Sequence, residues 1–295
     1  MTAVPDLFPI ADPQQLRDTS DAPAAGQDDQ VSPDEGGSSG RSVLDRAFTL
    51  LRAFSSDRPI LSLGDLATFA NLPKSTTHRL AATLVNCGAL QRYGALGYCV
   101  GSWLHDVGML APIRYRLTVA ATPFLHELHE QTRATVHLGV ASPAGPLYLE
   151  KISHYGGPAS FTRPGSHFPS HSTALGKSLA AFSDEMGQTL LAQPRYHRYT
   201  VRTLTAPRLL EHELDTVRFD QLSRDSEETV PGLSCVGAPV FNHFGVCVAA
   251  ISVCAPTGQL NDRRVTSAVR RAAQNIGRAY SNSGGATAPG SPIAS

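Results

Sequence analysis

Residues Leu72–Leu84 read "LPKSTTHRLAATL". The stretch opens on a proline, and Lys74, Ser75, Thr76, Thr77, His78 and Arg79 then fill the first helical turns with almost nothing apolar. Pro73 suits the start of a helix, where its missing N–H has no intrahelical partner to lose. Thr77, Leu80, Ala81 and Leu84 recur at helical spacing and predict one inward stripe. The other face then holds short hydrogen-bonding side chains and cations. Alone, such a run is a solvated helix face, so its neighbours have to decide what it is for.

Upstream, Ser42 with Asp45 three residues later resembles a capping pair, and Val43, Leu44, Ala47, Leu50, Leu51 and Phe54 recur at helical spacing. Ser62 and Asp65 repeat the signature before a short helix carrying Leu63, Leu66, Ala67 and Ala70. "NLP" makes the tight turn, and Gly88 is placed to terminate the third helix. "ALQRYGALGYCVG" then alternates as a small hairpin. Helix, short helix, turn, helix, hairpin is the order of a winged helix-turn-helix, whose second turn helix enters the DNA major groove. Ser75, Thr76 and Arg79 share the outward face, being three and four residues apart. An arginine forks onto guanine, while hydroxyls and helix-start amides suit phosphates. The candidate DNA-binding residues are Lys74, Ser75, Thr76, His78 and Arg79, with Arg92 and Tyr93 on the hairpin reaching the flanking backbone.

Charge agrees locally. The 295 residues sum to zero formal charge, but residues 1–40 hold eight acids and one base, residues 41–110 seven bases and four acids, and residues 111–295 seventeen bases and thirteen acids. Residues 1–40, rich in Asp, Pro, Gly and Ser, and the C-terminal "SNSGGATAPGSPIAS" predict disordered tails, too polar to offset their ordering entropy. The five cysteines are scattered without C-x-x-C spacing, which argues against a zinc site or disulfide framework and for reduced thiols in a cytoplasmic protein. The start lacks a signal-peptide pattern, and "FGVCVAAISVCA" is too short to span a membrane.

Beyond Gly101, "SWLHDVGMLA" predicts a linker helix, and "YRLTVAATPFLHELHEQT" a longer one bent near Pro123. "TVHLGVAS" and "LYLEKI" predict a hairpin about "PAGP", and "ASFTRPG" a further strand. "TALGKSLAAF", "DEMGQTLLAQ" and "PRLLEHELDTVRFDQL" predict helices. "CVGAPVFN" and "VCVAAISVCA" predict buried paired strands, and Asp262 to Tyr280 a last helix.

The run from "SVLDRAFTLL" through "LPKSTTHRLAATLVNCGALQR" to "YCVGSWLHDVG" resembles the DNA-binding domain of the IclR family of bacterial transcriptional regulators. "TRPGSHFPSHSTALGKSLAAF", "SEETVPGLSCVGAPVFN" and "VAAISVCAP" resemble that family's effector-binding domain. Together these cover about residues 41–281. The resemblance implies an α/β multi-domain chain, a winged helix-turn-helix (41–102) and a linker helix with a GAF-like α/β effector domain (103–281), between the compositionally disordered acidic tail (1–40) and second tail (282–295). It also implies a homodimer or dimer of dimers on a dyad-symmetric operator, tuned by a small organic acid.

"HSTALGKSL" predicts a helix start at Thr173–Ala174, whose free amides and dipole suit a carboxylate. The resemblance puts Ala174 and Leu175 at this wall of the effector pocket, Asp225 as an acidic group, and Cys235, Ser252 and Cys254 on its strands. Alternation sets Cys254 on the same face as Ser252. Leu175 and Cys254 stand where an organic-acid sensor of the family has smaller or hydroxylated residues, which favours an aromatic or branched acid. Core packing is the plain alternative for these apolar positions.

Catalytic and metal residues are not expected: "HELHE" is not H-E-x-x-H, and no nucleophile elbow, P-loop or dinucleotide fingerprint occurs. Its His126 and His129 are expected to be solvated, and His167 and His171, which flank a loop, to be structural, with ligand or metal binding as the alternative. No cofactor is expected. Two rival readings stay open: a thiol- or metal-sensing regulator using Cys235 and Cys254, and a small-molecule enzyme.

Overall fold

The computed structural model describes residues 42–283 except 56–57, 95–96, 110–111, 155–161 and 261–262. The expected tails, apart from Asn282 and Ser283, and the hairpin tip therefore lie outside the described residues. Ser42 and Asp45 form the expected reciprocal cap: Asp45 N donates to Ser42 Oγ at 3.0 Å and Ser42 N to the Asp45 carboxylate at 3.0 Å. They open α1 (Val43–Leu51).

The winged helix-turn-helix has its own core. After β1 (Ile60–Leu61), α2 (Leu63–Ala70) starts on a capping box between Ser62 and Asp65. It ends on Asn71 in the left-handed region, at φ 51°. One turn later α3 (Lys74–Asn86) begins, with Pro73 as its cap and Thr77, Leu80, Ala81 and Leu84 buried. Leu80, Ala81 and Leu84 pack with Leu50, Ala53, Leu66 and Ala70 beneath a sheet of order β1-β3-β2, where β2 is Leu90–Tyr93 and β3 is Gly97–Val100. The two-residue β1, which pairs Ile60 with Cys99, is too short to leave a periodic signal in sequence. Then come α4 (Ser102–Met109) and α5 (Pro112–Thr132), the latter running through Pro123.

The second half is built on a five-stranded antiparallel sheet of order β5-β4-β8-β7-β6. The strands are β4 (Thr135–Val140), β5 (Leu147–Ile152), β6 (Ser223–Ser226), β7 (Leu233–Phe241) and β8 (Cys247–Pro256). Strand alternation divides the two faces. Val136, Leu138, Val236, Ala238, Ile251 and Val253 form one core with α5 and with α9 (Arg263–Asn282). The opposite face receives α6 (Ala174–Phe182), itself followed by α7 (Asp184–Leu191) and packed against α8 (Pro207–Asp220).

Besides the unexpected β1, the structure departs from the sequence reading at three places. Of "ASFTRPG", residues 159–161 lie outside the described residues and 162–165 carry no strand, 164–165 forming a turn, the nearby ladder being the single bridge Leu147↔His167. β6, "SRDS", was not expected, because a short polar edge strand has no apolar alternation to betray it. His126 is exposed as expected, but His129 is buried, its Nδ1 2.7 Å from the Ala134 carbonyl oxygen, because the chain turns back to β4 directly over it.

Candidate DNA interface and effector site

The first site is the start of α3. Lys74, Ser75, His78 and Arg79 are exposed and Thr76 is half-buried, while Thr77 faces the core and returns its hydroxyl to the Pro73 carbonyl at 3.1 Å. No side chain caps α3, so its first amides stay open to an incoming acceptor. Arg79 donates nothing to a neighbouring carboxylate, and among the described residues no ion pair holds Lys74 or Arg79. On the wing, Arg92 is exposed and lies 5.3 Å over the ring of Tyr98, its cross-strand partner. Tyr93 is exposed beside it. The start of α3 is thus a basic, hydroxyl-bearing surface.

The second site is the α6 face of the five-stranded sheet. The register sets Asp225 opposite Cys235, and Cys235 opposite Cys254, so β6, β7 and β8 contribute one row. One step along, Ser252 pairs with Gly237 and His137 with Ser252. Helix α6 lies directly on this surface. A Cβ at Gly237 would come within 2.6 Å of Ser223 Oγ and 3.0 Å of the Ala174 carbonyl oxygen. A Cβ at Gly139 would come within 2.8 Å of the Leu175 side chain. Only glycines allow that approach. The six sequence-chosen residues thus converge, Ala174 and Leu175 from above and the other four from the sheet.

Local chemistry fixes the start of α6. Thr173 caps it, its Oγ1 accepting from Gly176 N at 3.0 Å, which leaves the amides of Ala174 and Leu175 with no acceptor among the described residues. Tyr148 stands over the row. Burial first, then the nearness of Cys235, Cys254 and Asp225, hold its hydroxyl protonated well above the usual range. Tyr148 packs on Phe168 at 4.7 Å and edge-on to His137 at 5.1 Å. His137 hydrogen-bonds Thr162 Oγ1 at 2.7 Å, and burial pushes it down to about 3, so it is a neutral imidazole.

Sequence reasoning missed the charged group beneath the site. Lys177, fully buried on α6, donates to Glu228 Oε1 at 2.7 Å and to Glu213 Oε1 at 3.1 Å. Its one signal was a lone cation inside "ALGKSLAAF", where every residue from Ala174 to Ala181 is buried. Glu228 N in turn donates to Asp225 Oδ1 at 2.7 Å. Burial raises Asp225 to about 6 and Glu228 to about 7, Lys177 opposing the shift in both. Glu228 Oε2 is buried without a hydrogen-bond partner among the described residues.

The cysteines share a hydrogen bond, which with burial pushes the Cys235 thiol well up and keeps it from ionising. That is the opposite of the lowered thiol pKa a reactive sensor cysteine has. Among the described residues no three His, Cys, Asp or Glu side chains gather as a metal site. His171 is buried and structural, stacked 5.0 Å from Tyr196 and bonded to the His197 carbonyl at 2.9 Å. His167 Nε2 lies 3.2 Å from Ser142 Oγ.

Known proteins give the same two halves. The model of the IclR helix-turn-helix domain matches residues 43–94, and that of the bacterial transcriptional regulator IclR C-terminal domain matches residues 113–278. The regulator KdgR of Dickeya chrysanthemi is 32% identical over 240 residues, spanning 80% of this chain and 78% of its own. The transcriptional repressor IclR of Escherichia coli K12 is 31% identical over 244 residues, 80% of this chain and 89% of its own. An IclR homologue from Microbacterium hydrocarbonoxydans, solved with 4-hydroxybenzoate, superposes with a TM-score of 0.75 at 24% identity, over 82% of this chain and all of that one.

Proposed function

The chain belongs to the IclR family of bacterial transcriptional regulators, DNA-binding proteins with a ligand-binding C-terminal domain, and from that premise we propose how the two sites divide the work. Helix α3 reads the operator: Arg79 forks onto a guanine edge, Lys74 neutralises a phosphate, and Ser75, Thr76 and His78 bond backbone oxygens. Arg92 and Tyr93 hold the flanking strand. The chain works as a homodimer or dimer of dimers, so its operator is dyad-symmetric, with half-sites about one helical turn or a multiple apart. Phe48, Trp103 and Val107, exposed on α1 and α4, support self-association through this half. Residues 41–102 and 103–281 are the two functional domains, and the protein acts in the cytoplasm, where its DNA is.

The effector is a small carboxylic acid. The observation that carries this is the uncapped pair of amides at Ala174 and Leu175, set over the row Asp225–Cys235–Cys254 with Ser252 beside it. The amides take the carboxylate, and Ser252 a second polar group of the ligand. Tyr148, Phe168 and Leu175 make the surroundings largely apolar, which favours an aromatic or branched acid. The neighbour solved with 4-hydroxybenzoate is one such case. A deprotonated Asp225 repels a carboxylate, so affinity falls as pH rises through about 6.

The test is thermal shift of the full chain against aliphatic and aromatic carboxylates, 4-hydroxybenzoate included. A ligand at 100 times its dissociation constant adds about 2.7 kcal/mol, several degrees. A shift removed by Ser252→Ala supports the assignment. A panel in which no acid moves the transition refutes it.

A further inference from the structure

The α9 helix is chemically unlike the rest of its domain. Its 20 residues hold five arginines and no acid. Residues 111–295 carry seventeen bases and thirteen acids, so without α9 they hold twelve and thirteen. The net positive charge of the effector half therefore resides on this one helix. Arg263, Arg264, Arg270, Arg271 and Arg278 are all exposed, while Ala268, Val269, Ala272, Ala273 and Ile276 are buried against the sheet. At 100° per residue the five arginines fall within an arc of roughly 120°. Arg263 to Arg278 spans about 22 Å, the length over which one DNA strand presents about six phosphates.

Two of these arginines are held by neutral oxygens rather than by carboxylates. Arg270 donates to the Asp220 carbonyl oxygen at 2.6 Å and Arg278 to the Asn275 side-chain oxygen at 2.6 Å. Among the described residues no ion pair engages Arg263, Arg270, Arg271 or Arg278. The helix is flanked by two hollows. One, about 630 Å³, includes Arg263, Arg264 and Arg271 in its wall, and the other, about 430 Å³, includes Arg270 and Arg278.

We propose that the arginine face of α9 is a second DNA-contacting surface, which grips the phosphate backbone outside the half-sites read by α3. A small anion would fill one hollow and leave the cations of the other unanswered, whereas a duplex runs past Arg263, Arg270, Arg271 and Arg278 together. A protein partner would need buried aromatic or aliphatic anchors. The exposed residues between these arginines are Ser267 and Gln274, which suit phosphate oxygens. The contact carries no base preference; it adds affinity and salt dependence.

The proposal rests on DNA binding by the chain, and the experiment separates the two. Full-length protein is titrated by fluorescence anisotropy onto a labelled random-sequence 60-bp duplex between 50 and 300 mM salt. The quadruple variant Arg263→Gln/Arg270→Gln/Arg271→Gln/Arg278→Gln is compared with wild type, with Arg79→Ala, and with a charge-matched control, Arg195→Gln/Arg202→Gln/Arg208→Gln/Arg224→Gln. With a slope of about 0.9 per phosphate contact, the α9 variant's log–log salt slope is expected to be shallower by about 2–4, with affinity at 50 mM salt at least tenfold weaker. The control keeps the wild-type slope, and Arg79→Ala keeps the α9 share. An α9 variant with the wild-type slope, or a control that loses as much, overturns the proposal. Wild type that binds no duplex would instead refute DNA binding itself. Should the quadruple variant fail to fold, the pairs Arg263/Arg271 and Arg270/Arg278 are each expected to lose about half the slope change, and no change in either pair overturns it.

Discussion

Lys74 and Lys177 both stand near the start of a helix and have opposite surroundings. Lys74 is exposed and leads six residues of which only Thr77 is fully buried. Lys177 is sealed among eight consecutive buried residues and tied to two glutamates. A helix that meets its partner from outside leaves its cations in water, where they cost nothing until a phosphate arrives. A helix that forms the wall of a site must bring carboxylates to the cation it buries, because an uncompensated buried charge is expensive. The first arrangement puts charge at the service of binding, the second at the service of shape.

The largest test of this contrast is stability. Lys177→Met leaves Glu228 buried without its cation, and such a loss costs about 3–5 kcal/mol, on the order of 10 °C in melting midpoint for a domain of this size. Lys74→Met changes stability by no more than about 0.5 kcal/mol. Calorimetry checks both, and adding Glu228→Gln to Lys177→Met is expected to recover part of the loss.

The order reverses for DNA. Arg79→Ala is expected to weaken operator binding by about 1–3 kcal/mol and relax preference at one base pair, with the melting midpoint unmoved. Lys74→Ala lowers the log–log salt slope by about one on every sequence. Gel shifts and anisotropy read these. Gly237→Ala, whose new methyl would meet Ser223 Oγ and the Ala174 carbonyl, is expected to cost about 1–3 kcal/mol in stability while leaving DNA contacts intact in the folded fraction.

The smallest effect is in pH. Asp225 has a folded pKa raised to about 6 from 3.8, so the folded state holds its proton longer than the unfolded state does. The stability this group contributes is full below about 4 and is lost as pH rises through 6. His137 and His171, pushed down by burial to about 3 and about 4, act oppositely, since their stability is lost as pH falls below 6.5. The wild-type profile therefore mixes both signs, and the difference from Asp225→Asn isolates one. Relative to wild type, Asp225→Asn is expected to be more stable at pH 8 than at pH 5, by a few degrees in a thermal scan.

The two regions were not equally legible in sequence. Helix α3 could be read because Pro73, a 3.6-residue stripe and Gly88 bound it locally, and because the buried Thr77 falls in register with Leu80 and Leu84. The six effector-site residues could be placed only through resemblance, yet the strand register brings Asp225, Cys235 and Cys254 into one row. The Lys177–Glu228 bond joins residues 51 apart, and no periodicity encodes such a pairing. β6 escaped because "SRDS" is polar, and His129 because its burial depends on where the chain returns after Arg133. Local rules reveal what one helix does alone, whereas the buried charges depend on contacts across the fold.

The coupling between the DNA-reading helix and the effector site can be measured in one experiment. A duplex selected from a random library by the full-length protein is bound by wild type, Arg79→Ala and Ser252→Ala while aromatic and aliphatic carboxylates are titrated in. At least one acid is expected to change wild-type occupancy several-fold. Ser252→Ala is expected to bind the duplex normally and ignore the acid, and Arg79→Ala to bind the duplex more weakly while its melting midpoint still responds to the acid. Occupancy that no acid changes, or an acid response that survives Ser252→Ala undiminished, would contradict coupling through this site.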